Sequence, residues 1–228
     1  NLLRAISHDL RTPLTSIYGS TSTLITKYDA LPKEQQLKLL GEIQEDSEWL
    51  IRMVENLLSV TRIDDAKVEV IKTTTVLDEL IDSVLMKFSK KHPNQKVTTH
   101  IPDDFLDIPM DSILIEQVLL NLLENAVFHA KGMTELQLSV FLEDNRAVFE
   151  VADNGCGVPD EALDKIFNGR YEKSTAPVDG TRSNMGIGLS VCAAIIKAHN
   201  SEISAKNRDG GGMVFRFSLE RECDDDEQ

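Results

Sequence analysis

Nothing in the 228 residues is long and apolar enough to span a bilayer; every hydrophobic run stops short of the roughly 20 residues that a spanning helix needs. Cysteine is scarce. Cys156, Cys192 and Cys223 form an odd, widely separated set without metal-ligand spacing, which argues against a disulfide framework or a zinc site and fits a reducing compartment. Positive charge is in short supply as well: 24 Lys and Arg stand against 38 Asp and Glu, a formal net charge of -14. The basic residues are scattered, whereas a nucleic-acid backbone demands clustered ones to displace its counterions, so nucleic acid is excluded as a partner. The acidic end, residues 222–228, reads as a solvated tail rather than a metal site. Also missing are a start Met, a helix cap and a signal peptide ahead of the first helical pattern, the expectation for a cytoplasmic piece of a longer protein. Any membrane attachment would then belong to segments outside this chain.

What is present starts with Ser7-His8-Asp9-Leu10-Arg11-Thr12-Pro13-Leu14. Around it Leu3, Ile6, Leu10, Pro13, Ile17 and Leu24 recur at the three-and-four spacing of a helix packing its seam into a bundle. His8 and Thr12 are off that seam, one turn apart on the outward face. Pro13 lacks the N–H that would bond the carbonyl of Asp9, so the helix should bend beside His8. An exposed imidazole, with a pKa of roughly 6.5, keeps a free lone pair at neutral pH and can act as a nucleophile. Asp9 could hold its other nitrogen. A solvated His–Asp pair on a helix surface would leave the same pattern.

The first helix should run to about Lys27, with a turn over residues 28–32, and the second should keep heptad spacing through Leu37, Leu40, Gln44, Ser47, Ile51, Val54, Leu58 and Thr61, with Trp49, Leu50 and Leu57 widening the apolar face. Two helices cannot bury such faces alone, so the economical solution is a four-helix bundle made by two copies; a hairpin packed on its own chain is the alternative. A helical hairpin over residues 1–66 is therefore expected, followed by a second domain over 67–221 and the acidic tail. In that domain strands are expected over 68–72, 96–101 and 105–108, helices over 77–90, 111–130 and 189–198, and hairpins over 135–152 and 203–219. Such an order suggests an α+β sandwich.

Three constellations in that domain suit a nucleotide. On the helix capped by Asp111, Gln117, Asn121 and Asn125 form a polar stripe at four-residue spacing on an otherwise apolar surface. Their amide oxygens could help hold a hydrated Mg²⁺; an amide ladder to a neighbouring strand would need the same residues. Next comes Asp153-Asn154-Gly155-Cys156-Gly157, placed after a strand, where a carboxylate can accept a hydrogen bond from an exocyclic amine such as adenine's and Gly155 and Gly157 allow close backbone approach. A plain β-turn is the bland reading. Third, Gly186-Ile187-Gly188-Leu189 opens a helix, aiming free N–H groups at phosphate. Between the last two, residues 168–184 read as a mobile lid whose Arg170, Lys173 and Arg182 could meet phosphate charge.

In this order the motifs resemble those of the bacterial sensor histidine kinases. The box at His8 resembles their phosphoacceptor box, and that of the potassium-uptake (Kdp) sensor kinases in particular; Asn121-Leu122-Leu123-Glu124-Asn125-Ala126 resembles the N box; Ile166-Phe167 resembles the F box; the two glycine motifs resemble the glycine boxes. The resemblance implies a homodimer and a second domain of the Bergerat ATP-binding type. His8 would attack the γ-phosphate of ATP with Asp9 as base or orienter, and Thr12 would position water for dephosphorylating a partner. Asn121 and Asn125 would hold Mg²⁺, Asp153 would read adenine, and the phosphoryl group would pass to an aspartate on a response regulator receiver domain.

Two departures stand out. Where the family often has Lys and then Tyr after the second N-box Asn, this chain has Phe128 and His129, which leaves Lys131 or a lid arginine to meet phosphate, or a weakly active, phosphatase-dominant module. After Phe167, Asn168-Gly169-Arg170-Tyr171 departs from the usual aromatic spacing. The related conformational ATPases carry a Glu four residues before the Mg-binding Asn; Asn121 occupies that position, which favours phosphotransfer over hydrolysis.

Overall fold

The structure, a computed structural model, describes residues 2–64, 70–103, 105–163, 165–168 and 187–221; in 2–9, 52, 55–64, 168 and 187 it describes the backbone alone. Two compact units divide at Leu58 and Ser59.

The first unit is a helical hairpin. Helix α1 (Leu2–Lys27) carries Pro13 within it, and a 3-10 turn at Tyr28–Ala30 leads to α2 (Lys33–Asp64). Gln36 closes the turn, its side-chain amide donating to the carbonyls of Tyr28 and Leu31 at 2.8 and 3.0 Å. Pro13 is buried and Leu10, Ile17 and Leu24 are half-buried, so the seam of α1 is the one its spacing marks. On α2 the expected apolar face divides, with Ser47, Trp49 and Leu50 half-buried. Buried Asp46 and Met53 and half-buried Leu39, Ile43 and Leu50 line the side that faces the protein, while Leu37, Leu40, Ile51 and Val54 of the expected seam are exposed at 61, 52, 59 and 47 %. Helix α2 therefore carries two apolar stripes, only one of which a single hairpin covers. Leu14, Tyr18 and Ile25 leave a similar uncovered strip on α1.

In the second unit, β1 (Thr73–Val76) runs into α3 (Leu77–Lys91), followed by β2 (Thr98–His100), β3 (Asp107–Met110), α4 (Ser112–His129), β4 (Leu136–Glu143), β5 (Arg146–Asp153), the short α5 (Asp160–Leu163), a 3-10 turn at Ile166–Asn168, α6 (Ile187–Ala198), β6 (Ile203–Asn207) and β7 (Met213–Glu220). The order β2-β4-β5-β7-β6 makes one five-stranded sheet, with β2 parallel to β4 and the rest antiparallel; β1 and β3 form a separate two-stranded ribbon. The α+β architecture expected of the chain is thus present, with α3, α4 and α6 packed into a core shared with the sheet. At its centre Phe149 of β5 stacks on Phe217 of β7, ring centroids 4.9 Å apart. Helix α3 places Leu80, Ile81, Val84 and Phe88 in this core, and its exposed lysines reach across to α4, Lys87 to Glu116 and Lys91 to Glu124. Such half-exposed pairs contribute at most about 1 kcal/mol each. Their effect is to draw the carboxylates of α4 towards α3.

Two expected strands are displaced. The strand expected over 68–72 begins instead at Thr73: 70–72 are coil, 68 and 69 lie outside the described residues, and β1 is set by its partner, Thr73 opposite Met110 and Val76 opposite Asp107. The strand expected over 105–108 begins at Asp107, because the carbonyl of Leu106 accepts the N–H of Leu77 at 2.9 Å and is spent capping that crossing. A run of threonines is β-branched throughout and suits a pleated ribbon, a signal that alternation of apolar residues does not register. Helix α5 was not expected.

Candidate nucleotide-binding site

Helix α4 is started by Asp111, whose Oδ1 accepts the N–H of Leu114 at 3.2 Å. Its backbone N–H goes elsewhere, to Nε2 of His199 at 3.1 Å, tying the start of α4 to the turn that ends α6. Seven residues back along α6, the Cys192 thiol lies 3.9 Å from the carbonyl of Val118, seven residues forward along α4. The two helices are therefore antiparallel, and the same register carries Gly188 and the positive N-terminal end of α6 towards the C-terminal half of α4, where Asn125 lies. That half carries the polar stripe: Gln117, Asn121 and Asn125 are all half-buried. Asn121 also serves α6, its side chain hydrogen-bonding the Cys192 thiol, which burial pushes up to about 12. The carboxylates Glu116 and Glu124 are engaged by α3, so this face presents neutral amide oxygens. Such donors fit a hydrated Mg²⁺ whose charge is balanced by phosphate rather than by the protein.

At the end of β5, Asp153 is buried, 4 % exposed. Its carboxylate accepts the N–H of Gly155 at 2.8 Å and that of Met213. Burial raises its pKa above the ordinary aspartate value, and the two amides and the nearby Arg208 guanidinium draw it back down. The outcome is a held acceptor in a dry place, the chemistry that an exocyclic amine needs. Asn154 fastens the loop on its other side: Oδ1 accepts the N–H groups of Thr134 and Glu135, both at 2.9 Å, and Nδ2 donates to Thr134 Oγ1. Gly155 is required by proximity, since a Cβ there would fall 2.6 Å from the Cβ of Ala130, just past the end of α4. The thiol of the exposed Cys156 sits 3.6 Å from the carbonyl of His129. Loop and helix end are thus in direct contact, which places two of the three constellations side by side.

Phe167 is half-buried, edge-on to Phe215 of β7 with centroids 6.3 Å apart, and Gly188 is half-buried in the first turn of α6. Arg182, Gly186 and most of the expected lid lie outside the described residues, as does the acidic tail. In the hairpin, His8 and Asp9 lie on helical backbone with their side chains outside the description; Thr12 is exposed beside the buried Pro13. One turn on, the Thr15 hydroxyl bonds the carbonyl of Arg11 at 2.8 Å, a back-bond of the kind that favours bending at Pro13.

Three residues around the Asp153 loop, and His199 between α4 and α6, carry no motif in the sequence. Asn207 and Arg208, from the end of β6, and Gly212 all bear on the segment from Asp153 to Val158, and His199 locks α4 to α6. The run Asn207-Arg208-Asp209-Gly210-Gly211-Gly212 falls within the hairpin expected over 203–219. Three consecutive glycines in so short a turn exceed what the turn needs, and all three have positive φ.

Two family descriptions match the chain: "His Kinase A (phospho-acceptor) domain" over residues 1–66 and "Histidine kinase-, DNA gyrase B-, and HSP90-like ATPase" over 110–222. The chain belongs to the sensor histidine kinases. Among relatives, it is 37 % identical to the sensor protein KdpD of Clostridium acetobutylicum over 223 residues, 97 % of this chain and 25 % of that protein, and 34 % identical to KdpD of Escherichia coli, 96 % and 24 %. It thus spans about a quarter of the length of these two kinases. Among solved structures, the histidine kinase AdeS of Acinetobacter baumannii aligns with a TM-score of 0.68 at 21 % identity, covering 95 % of this chain and 98 % of that one. The histidine kinase ThkA, solved in complex with the response regulator protein TrrA, aligns at 0.74 and 23 % identity, covering 97 % and 61 %. At such identities these two speak for the histidine kinase fold alone. Among the described residues no helix is long and apolar enough to cross a membrane.

Proposed function

We propose that the chain is the autokinase core of such a sensor, transferring the γ-phosphoryl group of ATP to His8 and then to an aspartate of a response regulator receiver domain. Residues 1–66 serve as the dimerising phosphotransfer hairpin and 67–221 as the ATP-binding domain, in the cytoplasmic part of a membrane-anchored protein. The observation that carries this reading is the contact of the Asp153 loop with the end of α4 through Gly155 and Ala130, which gathers a base-reading carboxylate and the amides of Asn121 and Asn125 into one neighbourhood.

Each residue's part follows from its chemistry. Asp153 receives the exocyclic amine of adenine, Gly155 and Gly157 let the backbone approach, Phe167 packs against Phe215 next to that loop's strand, and Gly186, Gly188 and Arg182 meet the phosphates. Asn121 and Asn125 would hold Mg²⁺, which when bound offsets phosphate charge. His8 uses the Nε2 lone pair to form a bond to the γ-phosphorus as the bond to the bridging oxygen breaks and ADP leaves; Asp9 holds the Nδ1 proton. Thr12, a hydroxyl on the same exposed face, orients water against the regulator's acyl phosphate.

A second reading, a phosphatase-dominant module, is favoured by Phe128. Its ring is turned edge-on to His92, which caps the end of α3, centroids 5.8 Å apart, and offers no cation to phosphate. Incubating the labelled chain with a purified cognate receiver domain separates the two. A kinase core passes label to the receiver, and Thr12→Ala slows its later loss without lowering the labelling of His8; equal loss of both activities would overturn the role given to Thr12.

A further inference from the structure

Asp153 closes β5, opposite Leu136 of β4, and the loop that follows it has no element of its own until α5 begins at Asp160. A carboxylate that must meet an amine to within a few tenths of an ångström cannot depend on such a segment unless something fixes both of its ends. Asn154 ties its start to Thr134 and Glu135, and the β6–β7 hairpin holds both ends. At the front, Arg208 Nη1 donates to the carbonyl of Asp153 at 3.2 Å, and the Met213 N–H reaches the carboxylate. At the back, the side-chain amide of Asn207 accepts the N–H of Val158 at 3.0 Å and donates to the carbonyl of Val158 at 2.7 Å, the pair of bonds that a neighbouring strand would make. The same Nδ2 also donates to Asp160 Oδ1 at 2.8 Å.

The approach is close enough to require glycine on both sides. Gly157 has φ +64°, and a Cβ on it would lie 2.8 Å from Asn207 Oδ1; Gly212 has φ +96°, and a Cβ there would fall 2.0 Å from the carbonyl oxygen of Asp153. Backbone runs against backbone from Asp153 to Gly157. This contact is much tighter than closing a β-hairpin needs.

We propose that Asn207 and Arg208 are positioning residues for base recognition: from the β6–β7 hairpin they clamp the two ends of the Asp153 loop and so set the chain's preference for adenine over guanine nucleotides. The proposal rests on the reading of Asp153 as the adenine acceptor. Adenine offers an amine at the position where guanine carries a carbonyl oxygen, so a fixed carboxylate bonds the first and repels the second. Once the loop drifts, ATP loses a charge-assisted bond while GTP has none to lose. A contact that merely stabilises the fold would instead weaken both nucleotides together.

The test measures Kd for Mg-ATP and Mg-GTP on the whole 228-residue chain, by competition against a fluorescent ATP analogue, for Asn207→Ala, Arg208→Met and Asp153→Asn. The expected result is that the ATP:GTP preference falls by about tenfold or more in Asn207→Ala and by less in Arg208→Met, with GTP affinity unchanged or raised, the size expected for loss of one bond to a charged acceptor. Equal weakening of both nucleotides, or an unaltered preference, overturns the proposal. If Asp153→Asn keeps the wild-type preference, the adenine reading falls and the clamp with it. A preference lost in Asp153→Asn but kept in Asn207→Ala overturns the clamp alone. Should Asn207→Ala fail to fold, Asn207→Asp keeps the acceptor for the Val158 N–H and removes the donor to its carbonyl; a fall in ATP:GTP preference without loss of GTP affinity supports the clamp, and an unaltered preference counts against it.

Discussion

His199 Nε2 accepts the backbone N–H of Asp111 at 3.1 Å while Nδ1 lies 2.8 Å from the carbonyl of Ile195. A carbonyl can only accept and an amide N–H can only donate, so this buried ring is held as the neutral tautomer with its proton on Nδ1. Burial lowers its pKa, more than the Ile195 carbonyl raises it; Lys72 adds to the lowering and Asp111 opposes it. The native state therefore binds fewer protons than the unfolded chain between the lowered pKa and about 6.5, and stability is lost as pH falls through that window. In denaturant titrations at about pH 7.5, 6.5 and 5.5, the wild type should lose more stability on acidification than His199→Asn, which starts lower. Parallel losses would show that His199 is not the group responsible.

Gly155→Ala should damage fold and binding together, because its Cβ would sit 2.6 Å from the Cβ of Ala130 and 2.7 Å from that residue's backbone. Backbone has to move, which costs ~1–3 kcal/mol for overpacking of this kind. Chemical unfolding and nucleotide titration of the same sample check it; a variant with wild-type stability and affinity would mean that the loop does not bear on α4 as described.

Asn125→Ala should abolish Mg-dependent ATP binding and leave the fold intact, since the side chain is half-buried on the amide face and not in the core. Titration with and without Mg²⁺, beside a melting curve, is the measurement. Unaltered affinity would remove Asn125 from the site.

Ile51→Glu should convert a dimer into a monomer. Ile51 is 59 % exposed on the stripe of α2 that one hairpin leaves uncovered, and a charge there would have to be buried against a second copy. Sedimentation at micromolar concentration reads the outcome, and a wild type that is itself monomeric would contradict the bundle.

The parts of this molecule legible in its sequence are those carried by one periodicity or one motif: the cap at Asp111, the amide stripe on α4, and the glycines of the Asp153 loop. Missed features depend on pairs far apart in the chain. The Thr73–Val76 strand exists because Asp107–Met110 lies opposite, and the clamp from Asn207 to Val158 spans 49 residues. Heptad spacing on α2 correctly marked an apolar stripe but could not say that it is the one left uncovered, because two stripes share that helix and only packing separates them. His199, at the end of an apolar helix, carried no local sign of its bond to Asp111.

Phosphotransfer by this chain turns on His8. Incubation of the chain with γ-labelled ATP and Mg²⁺, with His8→Gln in parallel, should give acid-labile, alkali-stable label on the wild type and none on the variant, both binding ATP equally. Label retained on His8→Gln, or label that is acid-stable, would contradict phosphotransfer to this imidazole.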